Sequence, residues 1–196
     1  MTLPRRTTRS PRATQIVNAA RGLLENNGIE AMTMRLLAEF LEMRAPSLYK
    51  HFRNKEAIEV ALIETGLTDI GTALHEAVAS PEPDGAIPTL LRTYRRHALA
   101  HPNLYRLSTQ GALPREQLAA GLEEWAGTPF FLAAGEPHLA QALWSFAHGM
   151  VILELDDRFP PGNLDPTWHA GATAFTTAAA AHPPPIPTTP AQTPTT

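Results

Sequence analysis

The side chains between Arg44 and Lys55 are of the kinds that touch nucleic acid. Arg44 offers a planar fork that matches guanine O6 and N7, Pro46 and the Tyr49 ring offer apolar surface for thymine methyls, and Ser47 has a hydroxyl that bonds base edges. Lys50, His51 and Lys55, with Thr33 upstream, are suited to hold phosphates. Lys55 would do so from the start of a helix whose first amides face an anion. Other chemistry finds little support. The chain has no cysteine, so it has no disulfide, no thiolate zinc site and no cysteine nucleophile. Ser108 and Ser145 lack a paired base and acid at a recognisable spacing, and no glycine-rich phosphate loop follows a strand. His97 and His101 are four residues apart, as a helical metal pair would be. The break at Pro102 and the lack of a nearby carboxylate argue against that use. Neither an enzyme nor a cofactor or metal is expected.

Two short helices must position these residues. Thr33 is a good N-cap, and Met34, Leu37, Ala38 and Leu41 then follow the i, i+3, i+4, i+7 spacing of one apolar face. Pro46 suits the first turn of a second helix, where its missing N–H costs nothing. In that helix Ala45, Leu48 and Phe52 share one side. Pro46, Ser47 and Lys50 lie opposite, flanked by Tyr49 and His51. The spacing fits a helix-turn-helix whose second helix enters a major groove. Two amphipathic helices and a turn also occur as plain packing units, so periodicity alone leaves both readings open.

The residues themselves are more specific. Ala38-Glu-Phe-Leu followed by Ala45-Pro-Ser-Leu-Tyr-Lys-His-Phe-Arg-Asn-Lys-Glu56 resembles the DNA-binding domain of TetR-family transcriptional repressors. In that family a Leu-Tyr-x-His-Phe recognition helix runs into an Asn-Lys pair that opens a long connecting helix. The resemblance covers residues 12–65. One position departs from it: the family places glycine in the turn where this chain has Glu42. A non-glycine residue at positive φ costs about 1 kcal/mol there.

The formal charge of −3 conceals an asymmetry. Residues 1–55 hold ten Lys or Arg against four Glu, a balance of +6, and the remainder holds six Arg against fifteen acids, a balance of −9. A basic head on an acidic body implies that the head faces a polyanion. The basic N-terminus has no apolar stretch after it and is not a signal peptide. The longest apolar run, Leu139–Leu155, is interrupted by Gln141, Ser145, His148 and Glu154 and is too polar to span a membrane. A soluble, cytoplasmic protein is expected. Two lysines amid abundant alanine fit a bacterial genome of high GC content.

The chain divides into a flexible basic arm (1–11), a helix-turn-helix domain (12–56), a helical effector-binding and dimerisation domain (57–181) and a disordered Pro/Thr-rich tail (182–196). The fold class is all-α. A first helix from Arg12 should end near Asn27-Gly28. A long helix should span Lys55–Ala79, where Gly66 and Gly71 are either tolerated in an exposed linker or supply compliance between reader and sensor. Further helices are expected at Ala86–Ala100, Asn103–Ser108, Pro114–Trp125 (followed by an irregular Gly127-Thr-Pro129), Pro137–Asp156 and Pro166–Ala181. The last two, one apolar nearly all round and one rich in small residues, are where a second subunit would pack.

Trp144, His148 and Gly149, with Tyr94, His97, His101-Pro102 and Tyr105 upstream, resemble a TetR-family C-terminal subgroup with Trp and His-Gly in its penultimate helix. That resemblance implies a core pocket at Tyr94, Tyr105, Trp144 and His148 for an unidentified small effector. A pocket of Leu, Tyr and Trp with one or two histidines suits an apolar or aromatic molecule with one polar group. His148 itself reads first as a core histidine bonded to a backbone carbonyl and second as a ligand contact. The family implies a homodimer through the last two helices that binds a palindromic operator in double-stranded DNA. The function expected is a ligand-responsive repressor. The alternative is a helical small-molecule-binding or catalytic protein with a vestigial helix-turn-helix, whose activity would not respond to DNA.

Overall fold

The computed structural model describes residues 2–4 and 9–181, and its regular elements there are all helical. They are α1 (Pro11–Ala31), α2 (Met34–Phe40), α3 (Ala45–Tyr49), α4 (Lys55–Ala79), α5 (Ala86–Ala100), α6 (Pro102–Thr109), a 3₁₀ turn (Arg115–Gln117), α7 (Leu122–Ala134), α8 (Pro137–Leu155) and α9 (Asp165–Ala180). The Pro/Thr-rich tail, and residues 1 and 5–8 of the basic arm, lie outside the described residues.

Helix starts follow their capping chemistry. Ser10 Oγ accepts from Ala13 N, Thr33 Oγ1 from Leu36 N at 3.1 Å, and Asn54 Oδ1 from Ala57 N at 2.9 Å, so each satisfies an amide without a helical partner. α1 loses helical geometry at Gly28, where φ is 77°. One apolar core joins α1, α2 and α3 to the first half of α4 through Ile16, Leu24, Leu37, Leu48, Ile58 and Leu62, and Leu104 of α6 enters it. A second core joins the rest of α4 to α5, α7, α8 and α9.

The glycines of α4 are neither exposed nor slack. A Cβ on Gly66 would stand 2.8 Å from Ser108 Oγ, and one on Gly71 would stand 2.4 Å from Trp125 Cζ3 and 3.1 Å from Ala126 Cα. They let α6 and α7 approach the α4 backbone, a use periodicity does not reveal.

The region before α8 differs from the sequence expectation. The helix expected over Pro114–Trp125 is reduced at its start to the 3₁₀ turn, and the segment expected to be irregular is helical. α7 begins after Gly121 (φ 77°) and continues through Gly127 and Pro129 to Gly135 (φ 76°). Burial of Leu122, Trp125, Ala126, Phe130 and Ala134 along one face outweighs the local breakers. Proline removes the N–H that would bond the carbonyl four residues back. That carbonyl, Trp125 O, lies 3.0 Å from His75 Nε2, and the imidazole stacks on the Trp125 indole at 4.8 Å. His75 supplies the donor that Pro129 lacks.

α8 is less enclosed within the chain than its apolarity suggests: Trp144 and Leu153 are 43% and 42% exposed. α9 approaches it at Gly171, where a Cβ would collide with the Phe146 ring.

Candidate functional site

The reading head is assembled around α3. Leu48 and Phe52 point into the core, which leaves Pro46, Tyr49, Lys50 and His51 exposed and Ser47 half-buried. Ala45, expected on the packed side, is exposed, because α3 begins there and Arg44 is its N-cap. Arg44 is exposed and makes no side-chain capping bond. Glu42 occupies the turn between α2 and α3 with φ 51°, the left-handed conformation expected of the glycine it replaces. The turn keeps its shape, closed by Met43 N donating to Ala38 O at 2.9 Å.

The cations of the head fall into two groups. Arg9 pairs with Glu64, Arg21 with Asp69 at 2.7 Å, and Arg35, more loosely, with Glu39 at 3.4 Å. Lys55 is turned inward, donating to Ile29 O at 2.8 Å with Glu59 at 3.5 Å, so its ammonium ties the end of α1 to the start of α4. Arg44, Lys50 and Arg53 are exposed and form no ion pair among the described residues. All three lie within α3's cap or the four residues after it. Thr33 is exposed, its oxygen capping α2. The exposed Arg35, on the first turn of α2, was not singled out by sequence reasoning; its position beside Thr33 was the available signal.

The second site is a cavity of about 510 Å³ lined by α4, α5, α6, the segment that follows α6, α7 and α8, within the size range of small-molecule pockets. Tyr94, Tyr105 and Trp144 line it, together with His97, Ser108 and Phe130. His148 stands behind this wall. Its Nδ1 lies 2.7 Å from the Tyr105 hydroxyl, which lies 3.0 Å from the Tyr94 hydroxyl, and its ring stacks on Trp144. His148 therefore bonds a phenol, where a backbone carbonyl or a direct ligand contact had been the alternatives. Burial pushes the Tyr94 phenol up to about 12, against the opposing pull of Tyr105 and Trp144, and raises Tyr105 further, so both remain protonated. Burial also holds His148 below the usual imidazole range. Burial, and then the neighbouring His101, do the same for His97. The cavity wall is thus uncharged near neutral pH apart from one ion pair, Arg115 with Glu123. No group of three or more potential metal ligands forms among the described residues.

Head and cavity share a wall. The Glu25 carboxylate of α1 accepts from Asn103 N at 3.2 Å and Leu104 N at 3.1 Å, capping α6, and Asn103 Nδ2 donates to Glu25 O at 3.0 Å. α6 is also a wall of the cavity.

Comparison with known proteins matches both halves. The family model described as bacterial regulatory proteins, tetR family, matches residues 16–62, and that of the tetracyclin repressor-like C-terminal domain matches residues 87–175. An uncharacterised HTH-type transcriptional regulator of Mycobacterium tuberculosis is 32% identical over 149 residues, which cover 71% of this chain and 68% of that protein. The tetracycline repressor protein class A from transposon 1721 of Escherichia coli is 44% identical over 145 residues, covering 71% of this chain and 65% of the repressor. Among solved structures, a Rhodococcus protein of unknown function superposes with a TM-score of 0.73 at 20% identity, over 86% of this chain and 94% of that one. The Streptomyces coelicolor TetR family protein ActR, in complex with (S)-DNPA, superposes at 0.62 and 20% identity, over 86% and 96%. At these identities the structural matches establish the shared fold. No helix among the described residues is long and apolar enough to cross a membrane.

Proposed function

Because the chain belongs to the TetR family of bacterial regulatory proteins, we propose that it is a cytoplasmic repressor that binds a palindromic operator as a homodimer and is released by a small effector held in the cavity. The observation that carries the DNA reading is the sorting of cations in the head. Among the described residues, Arg9, Arg21, Arg35 and Lys55 are tied to acids or carbonyls and Arg12 bonds the Gln15 side chain, whereas Arg44, Lys50 and Arg53 around α3 remain available for a polyanion. In this reading Arg44, Pro46, Ser47 and Tyr49 contact bases. Lys50, His51 and Thr33 contact phosphates, with the first amides of α4 beside Lys55.

Support for the dimer comes from the outer faces of α8 and α9. Ala142, Ser145 and Leu153 on α8, with Ala170, Thr173, Ala174 and Thr177 on α9, are exposed within the chain, and small residues permit close helix approach. Two copies packed there as a four-helix unit would present two α3 helices, which must stand ~34–36 Å apart to enter successive major grooves.

Release by an effector requires that it bind better to a conformation with wrongly spaced heads. The shared α6 supplies a route, because a ligand that moves α6 shifts the helix terminus that Glu25 caps. The test of the DNA reading is Arg44→Ala measured against duplexes varied at single positions. The substitution should cost ~1–3 kcal/mol and relax preference at one base pair per half-site. A loss equal for every sequence would make Arg44 a backbone contact and remove it from the base-reading set.

A further inference from the structure

We propose that the cavity takes a neutral ring compound that brings a hydrogen-bond donor, a phenol or a ring N–H, to the Tyr94 and Tyr105 oxygens, and that it rejects carboxylates. This rests on the reading of the cavity as the effector site.

The charge balance excludes an anion. Arg115 and Glu123, the Arg and Glu side chains of the wall, pair with each other through two bonds of 2.7 Å at its solvent-exposed rim, so the buried part of the wall around the tyrosines has no charged side chain. The remaining polar groups are hydroxyls, amides and the His97 imidazole, which burial keeps neutral. A carboxylate entering this wall would lose its hydration and gain no available cation, a cost that forces it to stay outside or to protonate.

The need for a donor follows from the direction of the hydrogen-bond chain. Tyr94 and Tyr105 each have one proton, and His148 Nδ1 stands at the far end. If His148 donated from Nδ1, Tyr105 would donate to Tyr94, and the Tyr94 proton would have no partner among the described residues. An unmade bond of that kind carries a full desolvation penalty. With His148 as acceptor, Tyr94 donates to Tyr105, Tyr105 donates to His148, and every proton is placed. Each phenol oxygen then has a lone pair left over and no proton, so the chain presents acceptors to the ligand. Ser108 Oγ, buried in the same wall, has no hydrogen-bond partner among the described residues and provides a second polar point. Phe130 and Trp144, which also line the cavity, supply apolar ring surface.

The experiment is calorimetry of the full chain, free of DNA, with three probes that share one ring system: 2-naphthol, 2-methoxynaphthalene and 2-naphthoate. 2-Naphthol should bind about tenfold more tightly than the ether, the ratio expected of one net hydrogen bond, and 2-naphthoate should give no measurable binding. Tyr105→Phe removes the acceptor of the Tyr94 proton and turns that proton toward the cavity, so the preference should vanish or reverse in favour of the ether. His148→Phe frees the Tyr105 proton in the same way at a half-buried position, and decides the matter if the first variant does not fold. Four results would overturn the assignment: naphthoate binding as tightly as naphthol, the ether matching naphthol, no binding by any probe, or an unchanged preference in the folded variants. Operator release is measured separately. A probe that binds with the expected preference yet leaves the protein on its operator would refute the effector reading and leave this assignment standing.

Discussion

Lys55 and Lys50 are the only lysines of the chain, and their surroundings separate two roles that composition merges. Sequence reasoning expects both at phosphates. The structure gives Lys55 a carbonyl and a carboxylate inside the head, while Lys50 stays in solvent beside α3. Lys50→Met should therefore reduce the log–log salt slope of DNA binding by about one unit at unchanged thermal stability. Lys55→Met should leave that slope nearly unchanged and lower the melting temperature, through loss of the α1–α4 tie. Matching slopes in the two variants would return Lys55 to the phosphate set. The cap at Thr33 and the turn at Glu42 were legible in the sequence, because each depends on residues within three or four positions. The partner of Lys55, 26 residues away, was not. The two depressed histidines give a pH prediction at the same scale. His97 and His148 have folded values below the ~6.5 of an unfolded imidazole, so between those values the unfolded chain binds more protons. Their contribution to stability is complete above about pH 6.5 and is lost as pH falls through the folded values. Thermal melts from about pH 7.5 to about pH 5 should show a falling midpoint, and the fall should be shallower in His97→Gln and His148→Gln. Equal slopes in wild type and both variants would exclude these two as the source.

At the scale of elements, the informative departure is α7. Gly127 and Pro129 read as breakers, and the segment is helical because its buried face and a donor from α4 compensate. His75 lies 54 residues before Pro129, so no window of local sequence contains both. α4, α5, α6, α8 and α9, whose apolar spacing and breakers agree, fall within one or two residues of their expected bounds. The compensation in α7 carries a coupled prediction. His75→Phe in the wild-type background leaves the Trp125 carbonyl without its donor. The same change beside Pro129→Ala is milder, because the alanine restores the helical N–H. The coupling in a double-mutant cycle by denaturant unfolding should fall within ~0.5–3 kcal/mol. Strict additivity would show that His75 acts through its ring stack on Trp125 alone.

The molecule has a basic head in which, among the described residues, the exposed cations without an ion pair gather at one short helix, joined to an acidic body that holds a cavity. Charge asymmetry and the two helical patterns made that division legible in sequence. The joint was not, because Glu25 and Asn103 meet across 78 residues and neither carries a motif. Through that joint, cavity and head share α6, which makes coupling between ligand and DNA physically available and necessarily reciprocal. All of it presupposes that the head reads DNA. The most direct measurement is selection of duplexes from a random pool by the full-length protein, followed by titration of the winning sequence at several salt concentrations. The expected product is an inverted repeat with half-site centres separated by one or more helical turns. Its affinity should fall steeply with salt, with a slope that Lys50→Met lowers. Enrichment of no sequence, or binding indifferent to both salt and Lys50, would contradict a DNA-reading head.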